Sequence, residues 1–185
     1  MCGIIGIVGT RPVTARLIDS LKRLEYRGYD SAGVATLADG RIERRRAAGK
    51  IRALEDVLEA QPIAATVGIG HTRWATHGAP TETNAHPHKS GRVSLVHNGI
   101  IENFAELKAE LMAHGRAFES DTDTEVIAQL IDEQLEGGAD PLTAFKTALD
   151  RLTGAYALAV LVEGHEDLVM GARHGSPLVV GHGDG

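Results

Sequence analysis

Strand-like and helix-like segments occur in groups along this sequence, and the grouping limits which folds it can adopt. An apolar run over residues 3–8 predicts a buried strand, and apolar residues at helical spacing follow over 13–26. Consecutive helical patterns that begin at 103, near 123 and at 140 precede a strand-rich end. A doubly wound parallel sheet needs strands and helices in regular alternation, whereas grouped elements are typical of α+β architectures. We therefore predict an α+β domain built from layers.

Hydrophobic periodicity and turn residues predict the individual elements. Asn103 and Glu106 have the spacing of a capping box at the start of a helix that ends near His114, and Asp140-Pro141 is typical of another helix start. Further helices are predicted over 13–26, 51–58 and about 123–135. Strands are predicted over 3–8, 33–37, around Ile42, and over 67–71, 93–97, 155–162, 168–172 and 178–181, the last three as a meander.

The composition excludes several classes of protein. The chain has 185 residues, of which 43% are hydrophobic and 24% charged, as expected for one globular domain. A formal charge of -6 and 4% aromatic residues argue against binding to nucleic acid. The basic run Arg41–Arg46 is too short to change this, and it predicts a solvated strand or turn. The apolar runs are far shorter than the roughly 20 residues of a membrane-spanning helix, so we expect no membrane association.

The only cysteine is the second residue, Cys2, and two interpretations of it are open. If Met1 is removed, Cys2 carries a thiol with a pKa of about 8.5 beside an α-amine with a pKa of about 7.7–8.0. The amine could then accept the thiol proton, as in N-terminal nucleophiles. Alternatively, Cys2 is a small buried hydrophobic residue. A lone cysteine forms no internal disulfide, and no secretory signal precedes the fold, so we expect a cytoplasmic location.

Periodicity is lost between residues 72 and 91, where polar residues surround the only tryptophan, Trp74. A loop of this length inside a domain is usually functional or disordered, and the tryptophan favours function. Histidines are frequent here, but no Cys-x-x-Cys or His-Glu-x-x-His motif accompanies them. We therefore expect no metal site and no cofactor. The histidines are His71, His77, His86, His88 and His97.

Other residues could complete an acyl-transfer site around a thiol. Asn98 and Gly99, at a strand end, offer a side-chain amide and a backbone N–H to a developing oxyanion, although Asn-Gly is also a strong hairpin-turn signal. An amino-acid substrate would need a basic and an acidic anchor, and Arg73 and Asp123 could supply them. Both could equally be capping or surface charges.

Three short motifs occur together in one order: Cys2-Gly3-Ile4, the segment 73–78 (Arg-Trp-Ala-Thr-His-Gly) and His97-Asn98-Gly99. With them the chain resembles the class II glutamine amidotransferases of the N-terminal nucleophile hydrolase superfamily. The longer segments 25–33, 73–88 and 98–103 resemble the branch of that family that aminates fructose 6-phosphate. The resemblance spans essentially the whole chain.

This resemblance implies a four-layered αββα sandwich and a glutaminase domain over residues 1–185. It also implies that this domain is truncated at its C-terminus and that the sugar isomerase domain of the branch is absent from this sequence. The implied substrate is L-glutamine, and fructose 6-phosphate would be reached only through the missing isomerase domain. A full-length protein of this kind is expected to be a homo-oligomer.

The resemblance also implies roles for the residues that react. Cys2 would be the nucleophile that forms a γ-glutamyl thioester, with its freed α-amine as the base. Asn98 and Gly99 would form the oxyanion hole. Trp74 would be the gate that controls the passage of ammonia.

The remaining roles implied by the resemblance concern substrate binding. Arg73 would hold the α-carboxylate of glutamine and Asp123 its α-ammonium group. Thr76 and His77 would line the same pocket, and Arg27 would support the nucleophile rather than react. Three other functions stay open: a domain of another class II amidotransferase, a different amide hydrolase with an N-terminal thiol, such as an acylase, and a non-catalytic module that senses glutamine.

Overall fold

The computed structural model describes residues 2–75 and 77–183, and within these ranges the strands form two antiparallel sheets. The strands are β1 (Gly3–Val8), β2 (Ser31–Ala38), β3 (Arg41–Ala48), β4 (Val67–Arg73), β5 (His88–Ser90), β6 (Val93–Ile101), β7 (Gly154–Val162) and β8 (Met170–His174). The helices are α1 (Thr14–Leu24), α2 (Ile51–Ala60), α3 (Phe104–Ala113), α4 (Glu125–Glu136) and α5 (Pro141–Leu149). A 3₁₀ turn over Glu25–Arg27 follows α1.

The strand order is β1-β4-β2-β3 in the first sheet and β5-β6-β7-β8 in the second. α1 and α2 pack on the outer side of the first sheet, while α4 packs on the second sheet and also contacts α3 and α5. The inner faces of the two sheets pack against each other. This order of helix, sheet, sheet and helix confirms the predicted α+β class and the four-layered αββα sandwich.

The hydrophobic core divides between these layers. In β7, apolar residues do not alternate with polar ones, because both faces of the strand are buried. Leu158 and Val160 face the helices, whereas Ala159 and Leu161 face the first sheet. A strand buried on both faces needs apolar residues at every position. Fully burying one Leu or Ile side chain contributes about 1.5–3 kcal/mol.

Most predicted elements are confirmed, with boundaries that differ by a few residues. The helix start at Asp140-Pro141 is correct, because the Asp140 carboxylate accepts hydrogen bonds from the backbone N–H groups of Leu142 and Thr143. None of the helices within the described ranges is long and apolar enough to cross a membrane.

One alternative that the sequence left open and two local predictions are wrong. β6 continues through Asn98-Gly99, so this dipeptide is not a hairpin turn. The Asn103 side chain does not cap α3 but binds the chain before β7, at Arg151 O and Thr153 N. Residues 178–181 form no strand.

The basic run Arg41–Arg46 lies in a partly exposed strand, β3, as one of the two predicted alternatives, and its arginines also make contacts that were not predicted. Arg44 donates to Pro87 O, and Arg46 donates to Thr83 O and Ala85 O. Its arginines therefore fasten the polar loop that precedes β5.

Candidate active site

A cavity of about 510 Å³ opens where the ends of β1, β4 and β6 meet. Gly3 of β1 lies opposite Thr72 of β4, so Cys2 lies beside the C-terminal end of β4. The cavity brings together residues from Cys2 to Pro177, which are far apart in the sequence. Each predicted site residue that the structure describes lines it: Cys2, Arg27, Arg73, Trp74, His77, Asn98, Gly99 and Asp123. Met1 and Thr76, which the predictions also involve, lie outside the described residues.

The Cys2 thiol is half-buried and held by the backbone at the end of β4. The Trp74 N–H donates to Cys2 Sγ over 3.2 Å. Gly28 packs against the same peptide, since a Cβ at Gly28 would lie 2.6 Å from the Arg73 carbonyl carbon. Any larger residue at position 28 would displace the donor of the thiol.

Burial raises the pKa of the Cys2 thiol, whereas the Trp74 N–H hydrogen bond and the positive charge of Arg73 lower it. The net direction is upward, so the thiol is largely protonated at neutral pH. Among the described residues, no histidine side chain is hydrogen-bonded to Cys2 Sγ. A nucleophilic role for Cys2 therefore requires a base other than these histidines.

Asp30 fixes the backbone next to the thiol, and the sequence analysis missed this role. Its N–H donates to Arg73 O over 3.2 Å, and its carboxylate accepts the Ala75 N–H. Asp30 thus binds both ends of the segment that contains Trp74. The available signal was an acidic residue directly before the buried strand β2.

Asn98 and Gly99 form the opposite wall of the cavity. Asn98 Nδ2 donates to Cys2 O over 3.0 Å, which connects the second sheet directly to Cys2. Gly99 has φ +142°, and a Cβ there would lie only 1.9 Å from Ala155 O. Because only glycine fits, β6 can bring its backbone close to both β7 and the cavity.

Arg73 is buried, with 3% of its surface exposed, and its guanidinium binds the polar loop. It donates to Ala79 O over 3.1 Å, to Gly78 O over 3.0 Å and also to His77 O. It is neither a surface charge nor a capping charge. A guanidinium has five N–H donors, so these bonds leave donors for a ligand.

Asp123 is the acidic residue of the cavity, and it is 4% exposed. Its Oδ2 accepts the Ile101 N–H over 2.8 Å, which joins the start of α4 to the end of β6. Arg73 and Asp123 therefore place opposite charges in the wall of one cavity.

Trp74 and His77 occupy the rim and wall of the cavity. The Trp74 side chain is 48% exposed and packs edge-on against Tyr29, with ring centroids 5.5 Å apart. The His77 ring packs edge-on against Phe104 at 5.3 Å.

The remaining histidines of the polar region are buried in one cluster between the sheets and the start of α4. His86 and His97 both bond to Thr124 Oγ1 at 2.9 Å, and His71 stacks on His86 with centroids 4.1 Å apart. Burial lowers the pKa of His71 to about 3 and that of His97 to about 4, and it also lowers the pKa of His86 and of His88 well below the usual value. Within residues 2–75 and 77–183, no group of three or more His, Cys, Asp or Glu side chains could hold a metal ion.

Comparison with known proteins places this geometry in a family. Residues 71–185 match the model of a glutamine amidotransferase domain. The glutamine–fructose-6-phosphate aminotransferases (isomerizing) of Caulobacter vibrioides and Gluconobacter oxydans are 74% and 62% identical to the chain over its whole length. The chain spans 30% and 31% of those two proteins.

A solved glutamine phosphoribosylpyrophosphate amidotransferase from B. subtilis superposes with a TM-score of 0.73 and 28% identity, covering 88% of this chain and 35% of that one. Sequence family, close relatives and fold agree with one another. The chain belongs to the glutamine amidotransferase domain family, of class II.

Proposed function

We propose that this chain is the glutamine-hydrolysing domain of a glutamine–fructose-6-phosphate aminotransferase, and that it releases ammonia from the side-chain amide of glutamine. The observation that carries the proposal is the cavity that holds a thiol, an amide donor and two opposite charges together. The 74% identity to an aminotransferase of that name supports the choice of branch.

In the proposed first half-reaction, Cys2 Sγ attacks the amide carbon of glutamine while its proton moves to the α-amine freed by removal of Met1. A C–S bond forms, and the electron pair of the C=O bond moves to oxygen. Asn98 Nδ2 and the Gly99 N–H stabilise this oxyanion. The intermediate collapses, the C–N bond breaks, and ammonia leaves with the proton from the α-ammonium group.

In the second half-reaction, water attacks the thioester and gives its proton to the same α-amine. The C–S bond breaks, the thiolate recovers a proton, and glutamate is released. The raised pKa of the Cys2 thiol supports this assignment, because a protonated thiol needs a base within reach.

Substrate recognition uses the charges in the cavity wall. Arg73 has donors left for the α-carboxylate of glutamine, and Asp123 faces the same cavity as a partner for the α-ammonium group. Thr76 and His77 line this pocket in the proposal. Both charged groups are already fixed by backbone contacts, so little side-chain entropy is lost when the ligand binds.

The fate of ammonia lies outside this domain. Trp74, half-exposed at the rim, is proposed as the gate towards an isomerase domain that binds fructose 6-phosphate. We also propose that the complete protein is a homo-oligomer in the cytoplasm, where a free thiol at the N-terminus stays reduced.

Substrate profiling of the full-length protein tests the proposal. Release of glutamate from glutamine, with no turnover of N-acyl compounds, is the expected result. Turnover of N-acyl compounds alone would favour an acylase. Thermal stabilisation by glutamine without glutamate release would favour a sensing module.

A further inference from the structure

His71 connects the two sheets at the point where the nucleophile and the proposed oxyanion hole meet. It lies on β4, has no exposed surface, and reaches across to β6. His71 Nε2 is 3.0 Å from His97 O and 3.0 Å from Asn98 Oδ1. Both oxygens can only accept hydrogen bonds, so Nε2 must carry the proton and donate to them.

The same logic fixes the orientation of the Asn98 amide. Cys2 O is an acceptor only, so the amide must turn its NH2 group towards Cys2 and its Oδ1 towards His71. In the flipped orientation, two oxygens would face each other at Cys2 and two donors would face each other at His71. His71 and Cys2 together allow the amide a single orientation.

The surroundings of His71 keep it in this tautomer. Its Nδ1 has no hydrogen-bond partner among the residues that the structure describes, and the ring stacks on His86. Burial lowers the pKa of His71 to about 3, so the ring is neutral at physiological pH. A neutral ring with its single proton on Nε2 donates permanently to Asn98.

We propose that His71 is the positioning residue of the oxyanion hole: its Nε2–H holds the Asn98 amide so that Nδ2 points to the developing oxyanion. This inference rests on the proposed function, in which Asn98 stabilises the tetrahedral intermediate. His71 itself touches neither substrate nor thiol in this role.

The test compares His71→Gln with His71→Met in the full-length protein. Gln places an amide donor near the position of Nε2, whereas Met has a similar length and no donor. We expect kcat for glutamine hydrolysis to fall about 10- to 100-fold in His71→Met, less than the roughly 10²- to 10³-fold loss typical of deleting an oxyanion donor itself. KM should change little, and His71→Gln should recover most of the activity.

A second readout separates positioning from general damage. Glutamate γ-semialdehyde adds the Cys2 thiol to its carbonyl carbon, and the resulting oxyanion occupies the oxyanion hole, whereas L-glutamate forms no such bond. His71→Met should weaken inhibition by the aldehyde about 10- to 100-fold and leave inhibition by L-glutamate unchanged. His88→Met is the matched control, because His88 is equally buried but bonds to Thr122 rather than to Asn98.

The outcomes separate this inference from the proposed function. An unchanged kcat in His71→Met, equal weakening of both inhibitors, or the same selective loss in His88→Met would overturn the role of His71. If His71→Met is insoluble, failure of His71→Gln to retain aldehyde inhibition would overturn it. A wild-type protein that releases no glutamate would instead refute the proposed function.

Discussion

Two cavities of nearly equal size, about 510 and 520 Å³, differ in how their buried polar groups are paired. In the second cavity, Arg116 bonds to Gln129, to Asp132 and to Glu136 at 2.8–3.0 Å, and Ser90 bonds to Gln129. Within the described ranges, no buried side-chain polar atom around that cavity lacks a partner.

Around the first cavity, by contrast, several buried polar atoms have no hydrogen-bond partner among residues 2–75 and 77–183. They are His71 Nδ1, Thr72 Oγ1, His77 Nδ1, His86 Nδ1 and His97 Nε2. A buried polar atom that stays unpaired costs about 1–3 kcal/mol. In the proposed function, the first cavity binds glutamine, whereas the second is expected to stabilise the fold.

The largest expected effect is the loss of activity when the thiol of the first cavity is removed. Cys2→Ala should reduce glutamate release to background, because the bond-forming atom is lost, while circular dichroism and stabilisation by glutamine are retained. Undiminished turnover would refute the thiol mechanism.

Asn98→Ala should lower kcat about 10²- to 10³-fold with a small change in KM, since its amide acts on the oxyanion. Steady-state kinetics measure both constants. Asn103→Ala is the control, because that amide only bonds to Arg151 O and Thr153 N outside the cavity. A similar loss of kcat in Asn103→Ala would contradict the assignment.

Acid should destabilise the protein through the buried histidines of the first cavity. The pKa of His71 is about 3 and that of His97 about 4 in the folded state, against about 6.5 in the unfolded chain. The unfolded chain therefore binds more protons below pH 6.5, and each histidine costs roughly 2 kcal/mol between pH 7 and pH 5. Urea unfolding at both pH values measures this, and equal stability would show that these rings are not buried as neutral groups.

Asp132→Ala should lower the free energy of unfolding by about 2 kcal/mol, allowing for the partial exposure of its partner Arg116. The catalytic constants should not change below the melting temperature. Glu136→Ala removes the exposed partner of the same arginine and should cost about 0–1 kcal/mol. Loss of glutaminase activity in folded Asp132→Ala would show that the second cavity is not purely structural.

Arg73→Lys should raise KM for glutamine about tenfold, because an ammonium group cannot replace the planar fork that reaches both the loop and a carboxylate. The effect should fall mainly on KM rather than kcat. Equal affinity would mean that another residue binds the carboxylate.

Local patterns of the sequence predicted those parts of the molecule that depend on neighbours along the chain. The apolar run of β7, the helix start at Asp140 and strand β1 all follow from short segments. The resemblance to a family predicted the four layers and the residues that line the cavity.

Contacts between distant segments account for what the sequence did not predict. Asn98-Gly99 has the local signature of a turn, but pairing with β7 keeps it in a strand. Asn103 has the spacing of a cap, but the chain before β7 offers it better partners. The His71 to Asn98 bond joins two sheets, so no periodicity within either strand could indicate it.

Mass spectrometry of the full-length protein, acid-quenched during glutamine turnover, tests the central claim most directly. We predict an N-terminal peptide that begins at Cys2 and carries a glutamyl group on that residue. Active protein that retains Met1, or that releases glutamate without ever carrying a glutamyl group on Cys2, would contradict the account.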